Sequence, residues 1–125
     1  MDRPTVAILG ASHDRTKFGN KSLRAHLAKG YDVYPVNPKG GRIEGLTVYE
    51  DLLRVPVEHL DRISMYLPPH LGLTVLGQIA KKGCGQLWLN PGTSSPELVQ
   101  RARALGINIV EACSIVDLGI NPGSL

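Results

Sequence analysis

A turn of small residues near the N-terminus is the first place in this sequence where binding chemistry is expected. Gly10, Ala11 and Ser12 directly follow an apolar run, and Arg15 and Lys17 come soon after. Small residues let the backbone approach a phosphate group, and free N–H groups at a helix start bind its oxygens. A tight turn alone would also favour glycine, but a strand-to-helix turn is the context that a phosphate site requires. We therefore predict that this turn binds phosphate.

The segment that ends the second apolar run differs from that of an NAD site. Val36, Asn37, Pro38 and Lys39 stand where a dinucleotide site needs an acid to bind the ribose hydroxyls. The GxGxxG fingerprint of such sites is also absent from the first turn. An adenine edge and a phosphate fit this segment better than a ribose diol does. The segment therefore favours a 3′-phosphorylated adenosine over NAD.

Two further loops follow apolar runs and start helices. Pro68 and Pro69 make the third loop apolar and stiff, which suits an ordinary helix start but also packing against an adenine ring or a pantetheine arm. Asn90, Pro91 and Gly92 form a turn that exposes its backbone. Its N–H groups could bind an amide carbonyl or an acyl group.

Cysteine and histidine residues give little sign of catalysis. Cys113 follows the last apolar run, where an inert, buried thiol is the ordinary role of a free cysteine. If it lines a binding site, oxidation could join it to a thiol ligand. The four histidines show no metal-binding spacing, and no Ser-His-acid triad is evident. We predict neither a metal site nor a catalytic residue.

Five short apolar runs alternate with segments of helical periodicity, a pattern typical of βαβ units and a parallel sheet. The predicted strands are residues 5–9, 33–36, 62–67, 86–89 and 108–110. The predicted helices are residues 20–29, 69–82 and 96–105, with a short one within 50–54. We predict an α/β, Rossmann-like fold with three layers and a doubly wound parallel sheet of five strands in the order 3-2-1-4-5. A crevice is then expected at the C-terminal ends of strands one, two and four.

Length and composition fit one domain over residues 1–125 and leave little room for a second catalytic lobe. The net charge of +3 is too small to indicate a nucleic-acid partner. No apolar run is long enough for a membrane span, and the N-terminus lacks a signal-peptide pattern, so a cytoplasmic location is expected. The two cysteines are expected to be free thiols.

Five motifs together resemble a known family. GAS after strand one, VYPVNPKGG at strand two, LPPH, LWLNPG and EACS are similar to the small bacterial CoA-binding domain proteins. These are single Rossmann domains related to the CoA-binding domain of the succinyl-CoA synthetase alpha subunit. The resemblance implies coenzyme A as the ligand. It places the pyrophosphate at Gly10, Ala11, Ser12 and Lys17, the adenosine and its 3′-phosphate at Val36, Asn37, Pro38 and Lys39, the adenine also at Pro68 and Pro69, and the pantetheine end at Asn90, Pro91 and Gly92.

The resulting hypothesis is a non-catalytic module that binds coenzyme A or an acyl-CoA, either as a homodimer or with a partner enzyme subunit. Enzymes of the family use a phosphorylated histidine from a further domain, and this chain ends before one could occur. One alternative is a detached CoA-binding subunit of an acyl-CoA ligase that needs a partner chain. Another is a degenerate Rossmann domain, with an NAD(P)-like ligand or none, that serves protein contacts.

Overall fold

Strands and helices alternate along the chain as the sequence predicts. A computed structural model describes residues 3–125, so Met1 and Asp2 of the expected domain lie outside the described residues. The strands are β1 (Thr5–Leu9), β2 (Asp32–Val36), β3 (Arg42–Ile43), β4 (Leu46–Thr47), β5 (Leu60–Met65), β6 (Cys84–Leu89) and β7 (Ile109–Val110). The helices are α1 (Phe18–Ala28), α2 (Pro69–Lys82), α3 (Pro96–Ala104) and α4 (Ser114–Asp117), with single 3-10 turns at Leu52–Arg54 and Pro122–Ser124.

The main sheet confirms the α/β class but corrects the strand order. Its five strands are all parallel and lie in the order β2-β1-β5-β6-β7. Without the small hairpin of β3 and β4, this is the order 2-1-3-4-5, so the predicted order 3-2-1-4-5 is wrong. The third main strand, β5, pairs with β1 rather than with β2. The loop after β5 therefore lies beside the loop after β1. In the predicted order, the loop after the fourth strand would have been its neighbour.

A proline explains why β2 lies at the edge of the sheet. The carbonyl of Pro35 accepts a hydrogen bond from Tyr49 N at 2.9 Å, on the side away from β1. The N–H and C=O groups of one residue point to the same side of a strand. Because proline has no N–H, the outer edge of β2 has no hydrogen-bond donor at position 35. A full neighbouring strand would need that donor. Within residues 3–125, one isolated bridge forms there, between Val36 and Tyr49.

The two faces of the sheet carry different cores. One face is apolar and packs against α2 and α3, with Ile63, Leu76 and Leu98 among its buried side chains. On the other face, α1 covers the side chains of Val6 and Ile8, and α4 packs beside α1. Several polar side chains are also buried on that second face, and they are described with the site below.

The helix boundaries follow the local signals in the sequence. Ser95 caps α3 by accepting a hydrogen bond from Leu98 N at 3.2 Å, and the helix begins at residue 96, as predicted. Helix α2 begins at Pro69 and ends before Gly83, also as predicted. Leu27 and Leu105, near the ends of α1 and α3, are exposed. In the described part of the chain, no helix is long and apolar enough to cross a membrane.

Candidate functional site

The C-terminal edge of the sheet holds three neighbouring cavities. Strand β2 pairs with one side of β1, and β5 pairs with the other side. The connections that follow β1 and β5 therefore diverge, and a crevice opens between the ends of β1 and β5. The cavities have volumes of about 380, 250 and 470 Å³, and Gly10 lines all three. We call them the central, apolar and basic cavities, in that order, because their linings differ in chemistry.

The basic cavity has three basic side chains in its lining. His13, Lys17 and Lys39 line it, together with the small residues of the turn after β1. Asp14 also lines it, and hydrogen bonds from Thr16 hold the pKa of its carboxyl below the ordinary value. Three basic residues against one carboxylate make this the part of the crevice that suits an anion.

The turn itself is held in shape by its own side chains. Ser12 Oγ accepts a hydrogen bond from Asp14 N at 3.1 Å. Asp14 Oδ1 accepts from Thr16 N at 3.0 Å and from Thr16 Oγ1 at 2.7 Å. From behind, the buried Asn20 donates to Ser12 O at 2.8 Å. The turn is therefore fixed before any ligand arrives, which lowers the entropic cost of binding.

The start of α1 lies where the basic and central cavities meet. Lys17, its N-cap, lines both cavities, and no side chain caps the helix. No acidic residue occupies the first turn, so the positive end of the helix dipole is uncompensated there. The helix approaches β1 closely because Gly19 has no side chain: a Cβ there would lie 2.3 Å from Gly10 O. An uncapped helix start and a lysine thus lie together at this border, a combination that suits a phosphate group.

The apolar cavity lies between the ends of β1 and β2 and the helix α2. Its walls are mainly aliphatic, from residues Leu9, Val36, Pro38, Leu52, Leu67, Leu71 and Val75. Four polar residues also line it, Glu50, Asp51, Thr74 and Gln78. Two of these are already occupied: Asp51 accepts hydrogen bonds from Arg54, and Thr74 donates to Leu71 O. A flat apolar group with a polar edge fits such a slot.

Asn37 connects two loops through its amide. Its Nδ2 donates to Ala11 O at 2.9 Å, and its Oδ1 accepts from Lys39 N at 2.9 Å. The amide therefore fixes the loop after β2 against the turn after β1. This arrangement explains why an asparagine, rather than a free acid, occupies the end of β2.

The central cavity lies between the start of α1 and the loops after β5, β6 and β7. Phe18, Pro68, Pro91 and Cys113 are among its lining residues, and Tyr66 separates it from the basic cavity by lining both. Phe18 is 52% exposed although it lies inside the crevice. This cavity is the natural place for the flexible, uncharged part of a ligand.

A buried polar network supports the wall of the central cavity. Asn90 Nδ2 donates to Ser64 Oγ and to Met65 O, both at 3.0 Å. Its Oδ1 accepts from Ser114 N at 2.9 Å and from Tyr66 Oη at 3.2 Å. The Asn90 side chain thus joins β5, β6 and α4 and fixes the tyrosine ring. Burial raises the pKa of Tyr66, so its hydroxyl stays protonated and can donate.

The residues predicted from the sequence mostly meet at this crevice. The lining includes Gly10, Ala11, Ser12, Lys17, Val36, Asn37, Pro38, Lys39, Pro68, Asn90, Pro91, Gly92 and Cys113. Two predicted residues line none of the three cavities. Arg15 points its guanidinium towards Glu44, with an N–O distance of 3.9 Å, and Pro69 begins α2.

The sequence analysis missed Phe18, Tyr66 and the residues that α2 contributes to the apolar cavity. Tyr66 was placed within a predicted strand over residues 62–67, whereas β5 ends at Met65. The two prolines at positions 68 and 69 are a signal that could have ended the strand earlier, because proline lacks the ladder donor.

Neither thiol is paired, as the sequence predicts. Burial raises the pKa of Cys84 to about 11, so this thiol is unreactive near neutral pH. Cys113 is half-buried at the central cavity. Among residues 3–125, no group of His, Cys, Asp and Glu side chains has an arrangement that could hold a metal ion.

Several known proteins are similar to this chain. A family profile described as a CoA binding domain matches residues 4–119. The alpha subunit of the ADP-forming acetate–CoA ligase I from Pyrococcus furiosus is 30% identical over 122 residues, which cover 85% of this chain and 26% of that protein. The chain spans between 12% and 26% of the length of the curated relatives that it matches.

Solved structures contain a similar domain in two settings. A conserved hypothetical protein from Pyrococcus furiosus is 33% identical, with a TM-score of 0.81 over 93% of this chain and 99% of that one. The dinucleotide-forming acetyl-coenzyme A synthetase 1 of Ca. Korarchaeum cryptofilum, solved with phosphate and ADP, is 30% identical, with a TM-score of 0.73 over 86% of this chain and 25% of that one. The resemblance to bacterial proteins thus extends to archaeal ones. In one archaeal protein the similar domain makes up nearly the whole chain, and in another it makes up a quarter of a longer chain.

Proposed function

Because the chain belongs to the CoA-binding domain family, we propose that it binds coenzyme A across the three cavities that meet at Gly10. The observation that carries this proposal is the meeting of three chemically different cavities at one residue without a side chain. Coenzyme A has three matching parts, an adenine ring, charged phosphates and a long uncharged arm. The adenine then occupies the apolar cavity and the arm occupies the central cavity.

The phosphates occupy the basic cavity in this proposal. The pyrophosphate lies at the start of α1, where Lys17 lines both the basic and the central cavity and no side chain caps the helix. Lys39 lies on the far side of the same cavity, after β2, and binds the 3′-phosphate of the adenosine. Asn37 and Asn90 shape the site through the bonds of their amides, and do not bind the ligand through them.

The chain acts as a binding module without catalysis of its own, in our proposal. The central cavity contains no pair of a nucleophile and a base within hydrogen-bonding distance. The printed names of the relatives are those of ligases and synthetases that are several times longer. A detached ligase subunit is therefore the second candidate, and recovery of a stable complex with a second, nucleotide-binding chain would favour it.

Glu50 favours one alternative ligand. Its carboxylate lines the apolar cavity, and within residues 3–125 it has no hydrogen-bond partner. A free acid beside an adenosine site can bind ribose hydroxyls, as it does in dinucleotide sites. NAD is therefore the competitor that an experiment must include.

Calorimetry with coenzyme A, dephospho-CoA, NAD and NADP tests the proposal. We expect coenzyme A to bind tightest, and dephospho-CoA about tenfold more weakly, because it loses a charge-assisted hydrogen bond. In Lys39→Ala the affinities for these two ligands should become nearly equal. Lys29→Ala, at the far end of α1, is the matched control and should keep the tenfold difference. No heat with millimolar coenzyme A, together with binding of NAD, would refute the proposal.

A further inference from the structure

The polar side chains of the central cavity are already occupied by bonds within the protein. Thr93 Oγ1 donates to Asn90 O at 2.7 Å, and Thr93 is only 4% exposed. Both ends of the Asn90 amide bond to β5 and α4, and the Tyr66 hydroxyl donates to Asn90 Oδ1. These three residues therefore offer a ligand mainly their carbon atoms.

The remaining lining of the central cavity is apolar except at one side. Phe18, Leu67, Pro68 and Pro91 present hydrocarbon surface. Lys17 stands only at the side that the central cavity shares with the basic cavity, where the pyrophosphate is proposed. Away from that side, the lining holds the Cys113 thiol and no cationic side chain.

We propose that the physiological ligand is a thioester of coenzyme A that carries an uncharged, apolar acyl group in the central cavity, against Phe18. This inference rests on the proposed function, since the pantetheine arm must first bring the thioester to this cavity. The exposed ring of Phe18 gains the contacts that an acyl chain supplies. A carboxylate at the end of the acyl group would lose part of its hydration here. Lys21 Nζ lies 5.4 Å from the centroid of the Phe18 ring, but it is not part of the cavity lining and already donates to Pro122 O. Coenzyme A esters of dicarboxylic acids are therefore expected to bind more weakly than uncharged ones.

Butyryl-CoA and succinyl-CoA form a matched pair for the test, because both acyl groups have four carbon atoms and only one carries a carboxylate. Calorimetry should give a dissociation constant for butyryl-CoA about tenfold lower than for acetyl-CoA, the gain expected for burying two methylene groups. Succinyl-CoA should bind more weakly than acetyl-CoA. Equal affinity for the pair, or tighter binding of succinyl-CoA, overturns the inference.

Variants of Phe18 show whether this residue is responsible. Phe18→Ala should reduce the preference for butyryl-CoA over acetyl-CoA to about threefold. Phe18→Lys should reverse the order, so that succinyl-CoA binds tighter than butyryl-CoA. Leu27→Ala, an exposed apolar residue further along α1, is the control and should keep the wild-type order.

The outcomes separate this inference from the proposed function. If free coenzyme A binds but lengthening the acyl group brings no gain, only the apolar acyl site is wrong. If Phe18→Ala leaves the butyryl preference intact, the acyl group does not lie against Phe18. If neither coenzyme A nor any thioester binds, both proposals fail.

Discussion

At the scale of single residues, two glycines bring the turn after β1 against the first helix. Gly10 has a φ of 83°, and a Cβ there would lie 2.9 Å from Tyr66 O. A Cβ at Gly19 would lie only 2.3 Å from Gly10 O. The atoms contacted, Tyr66 O and Gly10 O, both belong to the backbone. Gly19 therefore serves the same purpose as a glycine of the dinucleotide fingerprint, the close packing of helix and strand.

Substitution of Gly19 by alanine should be strongly unfavourable. The new methyl group must push α1 away from β1, and we expect a loss of about 2 kcal/mol or more in the free energy of unfolding. Urea denaturation followed by circular dichroism measures it. Gly77→Ala is the matched control. Gly77 lies within α2 with nothing near its Cβ position, so this substitution should raise the free energy of unfolding by about 0.5–1 kcal/mol. Similar effects of the two substitutions would contradict the close contact.

At the scale of elements, α1 is unusual because the face that it buries is largely polar. Ser22 and His26 are fully buried there, next to Ser64 and Arg62 on β5. His26 Nδ1 donates to Ser22 O at 2.7 Å, while His26 Nε2 has no partner within residues 3–125. Arg62 stacks over Trp88, with its Cζ 4.7 Å from the ring centroid.

The buried histidine predicts a loss of stability in acid. Burial is the main cause that lowers the pKa of His26 from 6.5 to about 4, with a smaller effect from the positive charge of Arg62. Between these two values the unfolded chain binds a proton that the folded chain does not, so stability falls as the pH falls from 6.5 towards 4. The full effect is about 3 kcal/mol.

Urea unfolding of wild type and His26→Gln at several pH values measures this effect. The variant should lose less stability than wild type over the same pH range, whatever its stability at neutral pH. The same substitution at the exposed His59 is the control and should keep the wild-type pH profile. Parallel profiles for wild type and His26→Gln would show that His26 does not carry the effect.

At the scale of the whole molecule, the class of the fold and the location of the site were predictable, but the strand order was not. Apolar runs that alternate with helical segments require a parallel sheet, and its loops must meet at one edge. Strand order depends on pairing between distant segments, which periodicity does not reveal. Pro35 is the one signal in the sequence that points to the observed order. A proline in a strand favours an edge position, so β2 should not have a further strand on the side away from β1. Tyr66 and Phe18 could not be placed for a related reason, since their role depends on β5 lying beside β1.

Hydrogen exchange should show that the whole crevice responds to one ligand. On addition of coenzyme A, we expect slower amide exchange in residues 10–19, 37–40, 66–68 and 90–93, which are distant in sequence but line the joined cavities. The last turn of α3, residues 101–104, lines none of them and serves as the internal control. Slowing confined to a single loop would contradict a ligand that spans the three cavities.

The meeting of the cavities at Gly10 also bears on how such a protein can change its ligand during evolution. Each cavity takes most of its wall from its own set of loops, so a substitution can alter one part of the ligand's surroundings and leave the other two as they were. The junction has no such freedom, because a side chain there meets the backbone of Tyr66. Descendants of this chain can therefore exchange the group at one end of the ligand while they keep the branching shape of the crevice.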